Sequence, residues 1–372
     1  MRSWLLVCLD FPPEVGGIQT YLGEIARRMD RLAVVAPAAS GAPAYDATFP
    51  HPVDRIPLPR QRGLSGVPWL ALETVRQLPW GRFSGVIWGH PKLAVAAGLV
   101  SGLGGLPSVV CAYGMDVTTG SLRPLMRWGL SRAWRLVTIS SFTRARLEAL
   151  GVSADRIRIV SPGVEAPDPD GPRAAVSGAD DRPVVLTVGR IEAAEGYKGH
   201  DRVVEAMPLV LARCPGVRWV VVGDGSGLPA LRELVRERGL GAWIELRGRV
   251  GPGELADLYR RCDLFLMPSR VIKDRSGERF EGFGIVYLEA ARVGKPVVAG
   301  RVGGAVDAVL DGETGILVDP DDPRDIAAAV ISLLEDPARR QAMGERGRSR
   351  VARSFTWDRA AAALTGVLEE LS

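Results

Sequence analysis

Two glutamates eight residues apart give the strongest chemical signal in the sequence. Glu281 and Glu289 flank a segment that runs from a charged loop through Gly282 and Gly284 into a helix predicted to begin near Ile285. The first N–H groups of a helix lack intrahelical partners and carry partial positive charge, so this turn suits a phosphate or an anionic oxygen. With Glu281 in the loop, both carboxylates can face one ligand, such as the vicinal hydroxyls of a sugar or ribose. The alternative is a glycine turn before a surface helix with two solvated glutamates.

Two cations follow the first predicted strand of the second half of the chain. Arg190 ends the run Val-Gly-Arg, and Lys198 comes eight residues later in Tyr-Lys-Gly-His. A guanidinium and an ammonium close together can neutralise a diphosphate leaving group. Both side chains could instead be solvated, and for Arg190 the abundance of arginine favours that interpretation. Lys198 is harder to explain in this way, because the chain contains only four lysines.

The first half of the chain offers weaker candidates. Gly16 and Gly17 lie between the first strand and the first helix, where a glycine pair can present N–H groups to a phosphate. His90 follows a predicted buried strand and could hydrogen-bond a substrate hydroxyl or act as an acid or base, although a structural role fits equally well. Asp116 is a further candidate. The glycine run 223–227 does not have the GxGxxG spacing and is interpreted as a turn.

Short apolar strands that alternate with helical patterns must position these residues. The alternation predicts parallel sheets covered by helices on both faces, with ligands at the carboxyl ends of the strands. Residues 165–183, rich in Pro, Gly and Asp, are predicted to link two such halves, and residues 273–281 to form a charged loop. Helices are predicted over Ile18–Met29, Ser141–Leu150 and Trp357–Leu371. The predicted strands are Leu5–Leu9, Leu32–Ala36, Gly85–Trp88, Ser108–Ala112, Leu136–Ile139, Ile157–Val160, Val184–Val188, Trp219–Val222, Ile244–Leu246, Leu264–Met267, Pro296–Ala299 and Gly315–Val318.

Composition limits the class of protein. A chain of 372 residues, 47% hydrophobic and 24% charged, is typical of two or three globular domains. The net charge of +4 does not demand a nucleic-acid partner, but residues 51–150 alone carry +8, which allows an anionic one. Four cysteines that lie far apart, without CxxC spacing, favour a reduced intracellular protein over a zinc or redox site.

Three segments raise the questions of membrane insertion and metal binding. Leu93–Cys111 is long enough to span a bilayer, but its four glycines and one proline predict a buried helix, a turn and a buried strand. The apolar run Trp4–Leu9 is too short for a signal peptide. Asp319 and Asp321 follow a strand, and Pro323 soon after them favours a turn and helix cap over a metal site. We therefore predict no metal site.

Together, in this order, the motifs resemble the retaining glycosyltransferases of family 4. Glu281 and Glu289 match that family's E-x7-E motif, and Arg190 and Lys198 match its phosphate-binding pair. The segments GGIQTYL and EGFGIVYLEA are most similar to the bacterial phosphatidylinositol mannoside mannosyltransferases. Further matching features are Gly16-Gly17, Arg249-Val250, Pro268-Ser269, Gly303-Gly304 and the C-terminal helix.

The resemblance implies the GT-B fold, in which two Rossmann-like, doubly wound α/β domains face a central cleft. Residues 1–168 would form an N-terminal acceptor-binding domain, and residues 169–355 a C-terminal domain that binds the nucleotide sugar. Residues 356–372 would form a helix that returns to the N-terminal domain.

The resemblance also implies roles for individual residues. Arg190, Lys198, Glu281 and His90 would form the catalytic set, with the two cations stabilising the departing nucleoside diphosphate. The acceptor would attack the face of the sugar that the diphosphate leaves, and the leaving phosphate would take the acceptor proton, without a metal or other cofactor. The implied donor contacts are Gly16, Gly17, Arg190 and Lys198 at the diphosphate, Val250 at the base, Glu281, Gly282, Phe283 and Gly284 at the sugar, Ile285 and Val286 at the phosphates or ribose, and Glu289 at the ribose.

The donor and acceptor are less closely defined. GDP-mannose is favoured over UDP-glucose because of the similarity to mannosyltransferases. The expected acceptor is an anionic lipid or a glycan, at the inner face of the cell membrane, with the protein in the cytoplasm and in peripheral contact with the bilayer. This expectation rests on the +8 stretch, which also contains Trp69, Trp80, Trp88, Trp128 and Trp134.

Two other functions fit the same nucleotide-sugar motifs. A nucleotide-sugar 2-epimerase would need more acid/base groups than the three histidines provide. A non-catalytic sugar-nucleotide-binding subunit would not need the intact set of Arg190, Lys198, Glu281 and Glu289.

Overall fold

Two parallel β-sheets organise the chain into two units. The computed structural model describes residues 3–57, 70, 74, 82–118, 123–167, 182–274 and 277–371. The first unit comprises Met1–Gly163 and Trp357–Ser372, and the second comprises Val164–Thr356. Most of the predicted linker lies outside the described residues, as do Trp69 and Trp80.

The first unit has a seven-stranded parallel sheet with the order β3-β2-β1-β4-β5-β6-β7. Its interior strands, such as β5, are buried along their whole length because helices cover both faces, which explains their continuous apolar sequences. The strands are β1 (Ser3–Val7), β2 (Leu32–Pro37), β3 (Val53–Ile56), β4 (Phe83–Trp88), β5 (Ser108–Ala112), β6 (Arg135–Thr138) and β7 (Ile157–Ile159). The α-helices are Gly17–Arg27, Ala42–Asp46, Ala94–Gly104, Met115–Thr118, Arg123–Leu130, Ser141–Ala149 and Trp357–Glu369.

The second unit has a six-stranded parallel sheet with the order β10-β9-β8-β11-β14-β15, and a separate antiparallel pair, β12-β13. The strands are β8 (Val184–Val188), β9 (Arg218–Val222), β10 (Ile244–Gly248), β11 (Leu264–Met267), β12 (Ile272–Asp274), β13 (Gly277–Arg279), β14 (Val297–Gly300) and β15 (Gly315–Val318). The α-helices are His200–Arg213, Leu228–Glu237, Pro252–Arg261, Ile285–Arg292, Ala305–Ala308, Pro323–Glu335 and Pro337–Ser354.

In each sheet the strand order reverses once. The reversal lies between β1 and β4 in the first unit and between β8 and β11 in the second. Crossovers leave such a point in opposite directions, which opens a crevice beyond the carboxyl ends of the two strands. Gly16 and His90 follow the two strands at the first reversal, and Arg190 and Ser269 follow those at the second. The topology therefore places the candidates Gly16, His90 and Arg190 where ligands bind in this class of sheet.

The C-terminal helix, Trp357–Glu369, packs in the first unit, against helix Gly17–Arg27. Trp357, Leu364 and Leu368 bury its apolar face. Ion pairs join its two ends to the same unit, from Arg28 to Asp358 at 2.9 Å and from Arg158 to Glu370 at 2.9 Å.

Segment Leu93–Cys111 folds as predicted, as helix Ala94–Gly104, a left-handed turn at Gly105 and the buried strand β5. Within the described ranges, no helix combines the length and apolarity needed to cross a bilayer. The prediction of a charged loop over residues 273–281 is wrong in one respect, because most of this segment forms the antiparallel pair β12-β13. The edge strand β3 was not predicted.

Candidate functional site

Lys198 is held at the carboxyl end of the second sheet by a close backbone contact. It ends the 3₁₀ helix Ala193–Lys198, and Gly199 follows with φ 76°. A Cβ at Gly199 would lie 2.4 Å from the carbonyl oxygen of Pro268, just beyond β11. Only glycine permits both the left-handed conformation and this approach. The segment that carries Lys198 is therefore packed directly on the end of the neighbouring strand.

The Lys198 ammonium forms a largely buried ion pair. Its Nζ lies 3.4 Å from Glu281 Oε2 and 5.0 Å from the centroid of the Tyr197 ring. Burial alone would lower the pKa of Lys198, but Glu281, Tyr197 and Glu195 together outweigh burial and raise it above the ordinary value. Lys198 therefore stays charged, oriented and poorly hydrated, the state in which an ammonium stabilises a phosphate most strongly. The structure brings together these two candidates, which lie 83 residues apart in the chain.

The turn from Glu281 to Gly284 is shaped by a second glycine pair. Gly284 has φ 88° and precedes helix Ile285–Arg292, so the helix begins where it was predicted and Glu281 lies in the preceding loop. The Gly304 N–H donates to the Glu281 carbonyl at 2.8 Å. A Cβ at Gly304 would lie only 1.9 Å from the Gly282 carbonyl oxygen. Gly303-Gly304 therefore supports the turn from behind by direct backbone packing.

The aromatic side chains at this turn, Phe283 and Tyr287, pack into the interior. The Phe283 ring is buried, with its centroid 5.7 Å from that of Phe355. The Tyr287 hydroxyl donates to the Met267 carbonyl at 3.0 Å and anchors the helix to β11. Ile285 and Val286, in the first turn of the helix, are half-buried. The first N–H groups of a helix are the donors that suit an anion.

Arg190 is held differently from Lys198. Its side chain is 63% exposed, and its guanidinium donates to Glu195 Oε1 at 2.7 Å. Glu195 also contributes to the raised pKa of Lys198, so its carboxylate acts on both cations. The structure thus pairs Arg190 with Glu195 rather than with the Lys198–Glu281 pair.

The glycine run Gly223-Asp-Gly225-Ser-Gly227 fixes the backbone around Arg190. Each of its glycines packs against this segment, because a Cβ at Gly223 would lie 1.8 Å from the Gly189 carbonyl oxygen and one at Gly225 would lie 2.7 Å from that of Ile191. The Ile191 N–H donates to the Asp224 carbonyl at 3.0 Å. The run is therefore more than a turn, since it positions the loop that carries Arg190.

Glu289 makes its main polar contact with a residue that the sequence analysis did not single out. The Tyr259 hydroxyl donates to Glu289 Oε2 at 2.6 Å. Burial raises the pKa of Glu289, and the Tyr259 hydrogen bond and the charge of Arg292 partly offset this. Val250, the predicted base contact, is half-buried and follows β10 after the left-handed Gly248.

The candidates of the first unit lie at its own strand ends. Gly16 is the N-cap residue of helix Gly17–Arg27. Among described residues, no atom lies within 4 Å of a Cβ built at Gly17, so its backbone is sterically open.

His90 is buried, and its Nδ1 accepts the Lys92 N–H at 3.0 Å. Burial and the Lys92 charge lower the pKa of His90 to about 3. The imidazole is therefore neutral at physiological pH. Because Nδ1 is an acceptor, the proton lies on Nε2, which makes His90 a hydrogen-bond donor rather than a base.

Asp116 has a structural role. Its carboxylate accepts the N–H of Tyr113 at 3.0 Å and that of Gly114 at 2.7 Å. Burial raises the pKa of Asp116 to about 6, although these hydrogen bonds favour the ionised form.

No group of three or more His, Cys, Asp or Glu side chains in the described ranges could hold a metal ion. Asp319 accepts the Asp321 N–H at 3.0 Å, which forms the predicted turn. The residue that caps helix Pro323–Glu335 is Asp322, whose carboxylate accepts the Arg324 N–H.

Three features of this site were not predicted from the sequence: the contacts of Glu195, the contact of Tyr259 and the packing of the glycine run. Glu195 lies between the two predicted cations, and that position was an available signal. Tyr259 lies 30 residues from Glu289, and nothing local indicates their contact.

Comparison with known proteins supports the resemblance. The family model for glycosyl transferases group 1 matches residues 173–350, and that for Glycosyltransferase Family 4 matches residues 15–166. The GDP-mannose-dependent alpha-(1-6)-phosphatidylinositol monomannoside mannosyltransferase of Mycolicibacterium smegmatis is 35% identical over 98% of this chain and 97% of its own. Its Corynebacterium glutamicum counterpart, named as acting on the monoacylated acceptor, is 30% identical over 99% of this chain and 98% of its own.

Among solved structures, the Anabaena protein HepE in complex with UDP superposes with a TM-score of 0.77. The match covers 99% of this chain and 100% of HepE at 19% identity, which establishes likeness of fold. With both family models matched in order and relatives similar over nearly their whole length, the chain belongs to glycosyltransferase family 4 and is a glycosyltransferase with the GT-B fold.

Proposed function

We propose that this glycosyltransferase is a retaining hexosyltransferase that moves mannose from GDP-mannose to an anionic lipid or glycan acceptor. The proposal rests chiefly on the buried Lys198–Glu281 pair beside the glycine turn that opens helix Ile285–Arg292. The choice of donor rests on relatives named as GDP-mannose-dependent mannosyltransferases, at 30–35% identity over nearly the whole chain.

In this proposal the second unit binds the donor through the residues described above. Lys198 and Arg190 contact the diphosphate, Glu281 and the backbone of Gly282–Gly284 hold the mannose, and Glu289 binds the ribose. The two cations supply the charge that a metal ion supplies elsewhere, so neither a metal nor a cofactor takes part.

The reaction exchanges two C–O bonds at the anomeric carbon. The bond to the diphosphate breaks, the acceptor oxygen attacks from the same face, and a phosphate oxygen takes the acceptor proton. Lys198 and Arg190 stabilise the charge that develops on the diphosphate, and the turn fixes the sugar for attack. Neutral His90 would donate its Nε2 proton to a substrate hydroxyl. The roles of Gly16, Gly17, Val250, Ile285 and Val286 in donor binding remain predictions.

The first unit offers a surface suited to an anionic lipid. The Arg132 guanidinium lies 4.3 Å from the centroid of the Trp128 ring, and nearby in sequence Leu125 and Trp134 are 54% and 40% exposed. Arginine with exposed aromatic and apolar side chains suits the headgroup region of a membrane. Trp88, by contrast, is a core residue. We therefore propose peripheral contact with a membrane through residues 123–134.

Incubation with radiolabelled GDP-mannose and UDP-glucose, each with a lipid extract, tests the activity. We expect label from GDP-mannose to move into the lipid fraction. Isomerisation of the donor would favour an epimerase, and binding without turnover would favour a non-catalytic subunit.

Vesicle co-sedimentation tests the membrane contact separately. We expect binding to anionic vesicles that weakens as salt rises, because a Debye length of about 8 Å at physiological ionic strength screens such attraction. Failure to bind anionic vesicles at low salt would point to a freely diffusing acceptor.

A further inference from the structure

The contact between Tyr259 and Glu289 joins two helices that flank β11. Tyr259 lies in helix Pro252–Arg261 and Glu289 in helix Ile285–Arg292, and the hydroxyl-to-Oε2 distance is 2.6 Å. Tyr259 is 5% exposed, so its hydroxyl has left water to make this hydrogen bond. A buried hydroxyl that points at a carboxylate restricts the rotation of that carboxylate.

Aromatic packing fixes the position of the Tyr259 ring. The ring stacks on Phe265 of β11, with centroids 6.0 Å apart and planes 26° apart. Phe265 in turn meets Tyr287 edge-on at 5.9 Å, and the Tyr287 hydroxyl is bonded to Met267 at the end of the same strand. Tyr259 is thus held by β11, the strand whose carboxyl end lies at the candidate site.

The Tyr259 hydroxyl can fill only one of the hydrogen-bond acceptor positions of the Glu289 carboxylate. An ionised carboxylate has two oxygens and about four lone-pair positions, and a tyrosine hydroxyl donates one proton. Tyr259 occupies Oε2, which leaves Oε1 to accept hydroxyl groups from a ligand. The arrangement suits a vicinal diol, because the bound oxygen sets the plane of the free one.

We propose that Tyr259 is a positioning residue that orients the Glu289 carboxylate for the ribose hydroxyls of the donor. This inference rests on the proposed function, in which Glu289 binds the ribose. Tyr259 itself does not contact the donor, and its effect passes through Glu289.

The protonation of Glu289 gives this role a distinctive signature. The groups that act on its charge are Tyr259, across from it, and Arg292, on its own helix, and both oppose the rise in pKa that burial causes. A protonated carboxyl has lost an acceptor position, so donor affinity should fall as the pH falls through the pKa of Glu289. Removing the Tyr259 hydroxyl raises that pKa, so the loss should begin at a higher pH.

The test is a double-mutant cycle with Tyr259→Phe and Glu289→Gln, read by calorimetric titration of GDP between pH 5.5 and 8. We expect Tyr259→Phe to weaken the binding of GDP about tenfold at pH 7 and further at pH 5.5. It should also raise the KM for GDP-mannose while kcat stays within about twofold of the wild-type value. The double variant should bind no more weakly than Glu289→Gln, and both should keep only the pH dependence that comes from GDP itself, whose terminal phosphate titrates at about pH 6.

Tyr21→Phe is the matched control. It removes a buried hydroxyl that donates to the Val160 carbonyl at 3.0 Å, in the other unit. We expect it to leave GDP affinity unchanged. Melting curves without ligand show whether each variant is folded. If Tyr259→Phe is not folded, comparison of Glu289→Gln with the wild type still measures the pH dependence that Glu289 causes.

The outcomes separate the two claims. Weak binding by Glu289→Gln together with additive losses, or with a pH dependence of Tyr259→Phe equal to that of the wild type, would overturn the positioning role and leave the proposed donor site intact. Unchanged GDP affinity in Glu289→Gln would remove Glu289 from the donor site and the positioning role with it.

Discussion

The segments around Lys198 and Arg190 lie at the carboxyl end of the same sheet but hold their cations by different means. Lys198 is largely buried, against Glu281 and the ring of Tyr197. Arg190 is mostly exposed, and only its backbone is tightly packed, by the glycine run 223–227. One cation is therefore positioned by burial of its side chain, and the other by packing of its backbone. Lys198 belongs to the interior and contributes to stability, whereas Arg190 has a tightly packed backbone and a mostly exposed side chain that pairs with Glu195.

Removing each cation tests this difference with the largest expected effect. Both Lys198→Ala and Arg190→Ala should lower turnover by roughly 10²-fold or more, the loss that follows removal of one preorganised electrostatic group. Lys198→Ala should also lower the free energy of unfolding, by roughly 3 kcal/mol, because both members of its ion pair are buried. Arg190→Ala should lower it less, because its guanidinium is mostly exposed and Glu195 still has the Lys198 charge nearby. Steady-state kinetics and urea unfolding measure the two effects. Equal stability of the two variants would contradict the distinction, and near-normal turnover in both would remove them from the site.

Some of this arrangement follows from the sequence for identifiable reasons. The buried strands were predicted within a residue or two because parallel strands covered on both faces are continuous apolar runs, as in β8 and β11. The start of helix Ile285–Arg292 was predicted because glycine marks a left-handed turn. The candidates at strand ends followed from the same two patterns.

The rest depends on contacts between distant parts of the chain. The pairs β12-β13 and β2-β3 contain short, half-polar strands such as Val-Asp-Arg-Ile, whose residues show little apolar bias. Glu281 meets Lys198 across 83 residues, and no spacing rule indicates that contact. The sequence could therefore locate the candidate residues but not their partners.

A second test changes the glycine packing that positions the Arg190 segment. Gly225→Ala should cost about 2 kcal/mol or more, because Gly225 has φ 145° and the added Cβ would lie 2.7 Å from the Ile191 carbonyl oxygen. Turnover should fall about tenfold as the Arg190 loop shifts. Gly241→Ala is the matched control, since no described atom lies within 4 Å of its Cβ. Similar melting temperatures for the two variants would argue against the packing role.

A third test concerns His200, the residue after the Lys198-Gly199 turn. Burial and the Lys198 charge lower the pKa of His200 to about 4. The unfolded chain, with a histidine pKa near 6.5, therefore binds more protons between about pH 4 and pH 6.5, and stability falls as pH falls through that window. His200→Phe keeps a ring to stack on Trp219 and removes the titration. Between pH 7.5 and pH 5 the wild type should lose roughly 2 kcal/mol more than the variant in urea unfolding. Parallel losses in both would contradict the assignment.

The smallest expected effect is that of chelation. If the buried and the exposed cation together neutralise the diphosphate, transferase activity should be unchanged in EDTA. Assays with and without added magnesium or manganese check this. Loss of activity on chelation, restored by either ion, would mean that Lys198 and Arg190 do not suffice.

Ligand-dependent melting tests whether the second unit binds a nucleoside diphosphate through Lys198 and its neighbours. A ligand at 100 times its Kd stabilises the folded state by about 2.7 kcal/mol, which a thermal-shift assay detects readily. We predict that GDP raises the melting temperature of the wild type more than UDP or ADP does, and that Lys198→Ala abolishes most of the shift. A larger shift with UDP would reverse the proposed donor, and the absence of a shift with all three nucleotides, or an equal shift in Lys198→Ala, would contradict the site itself.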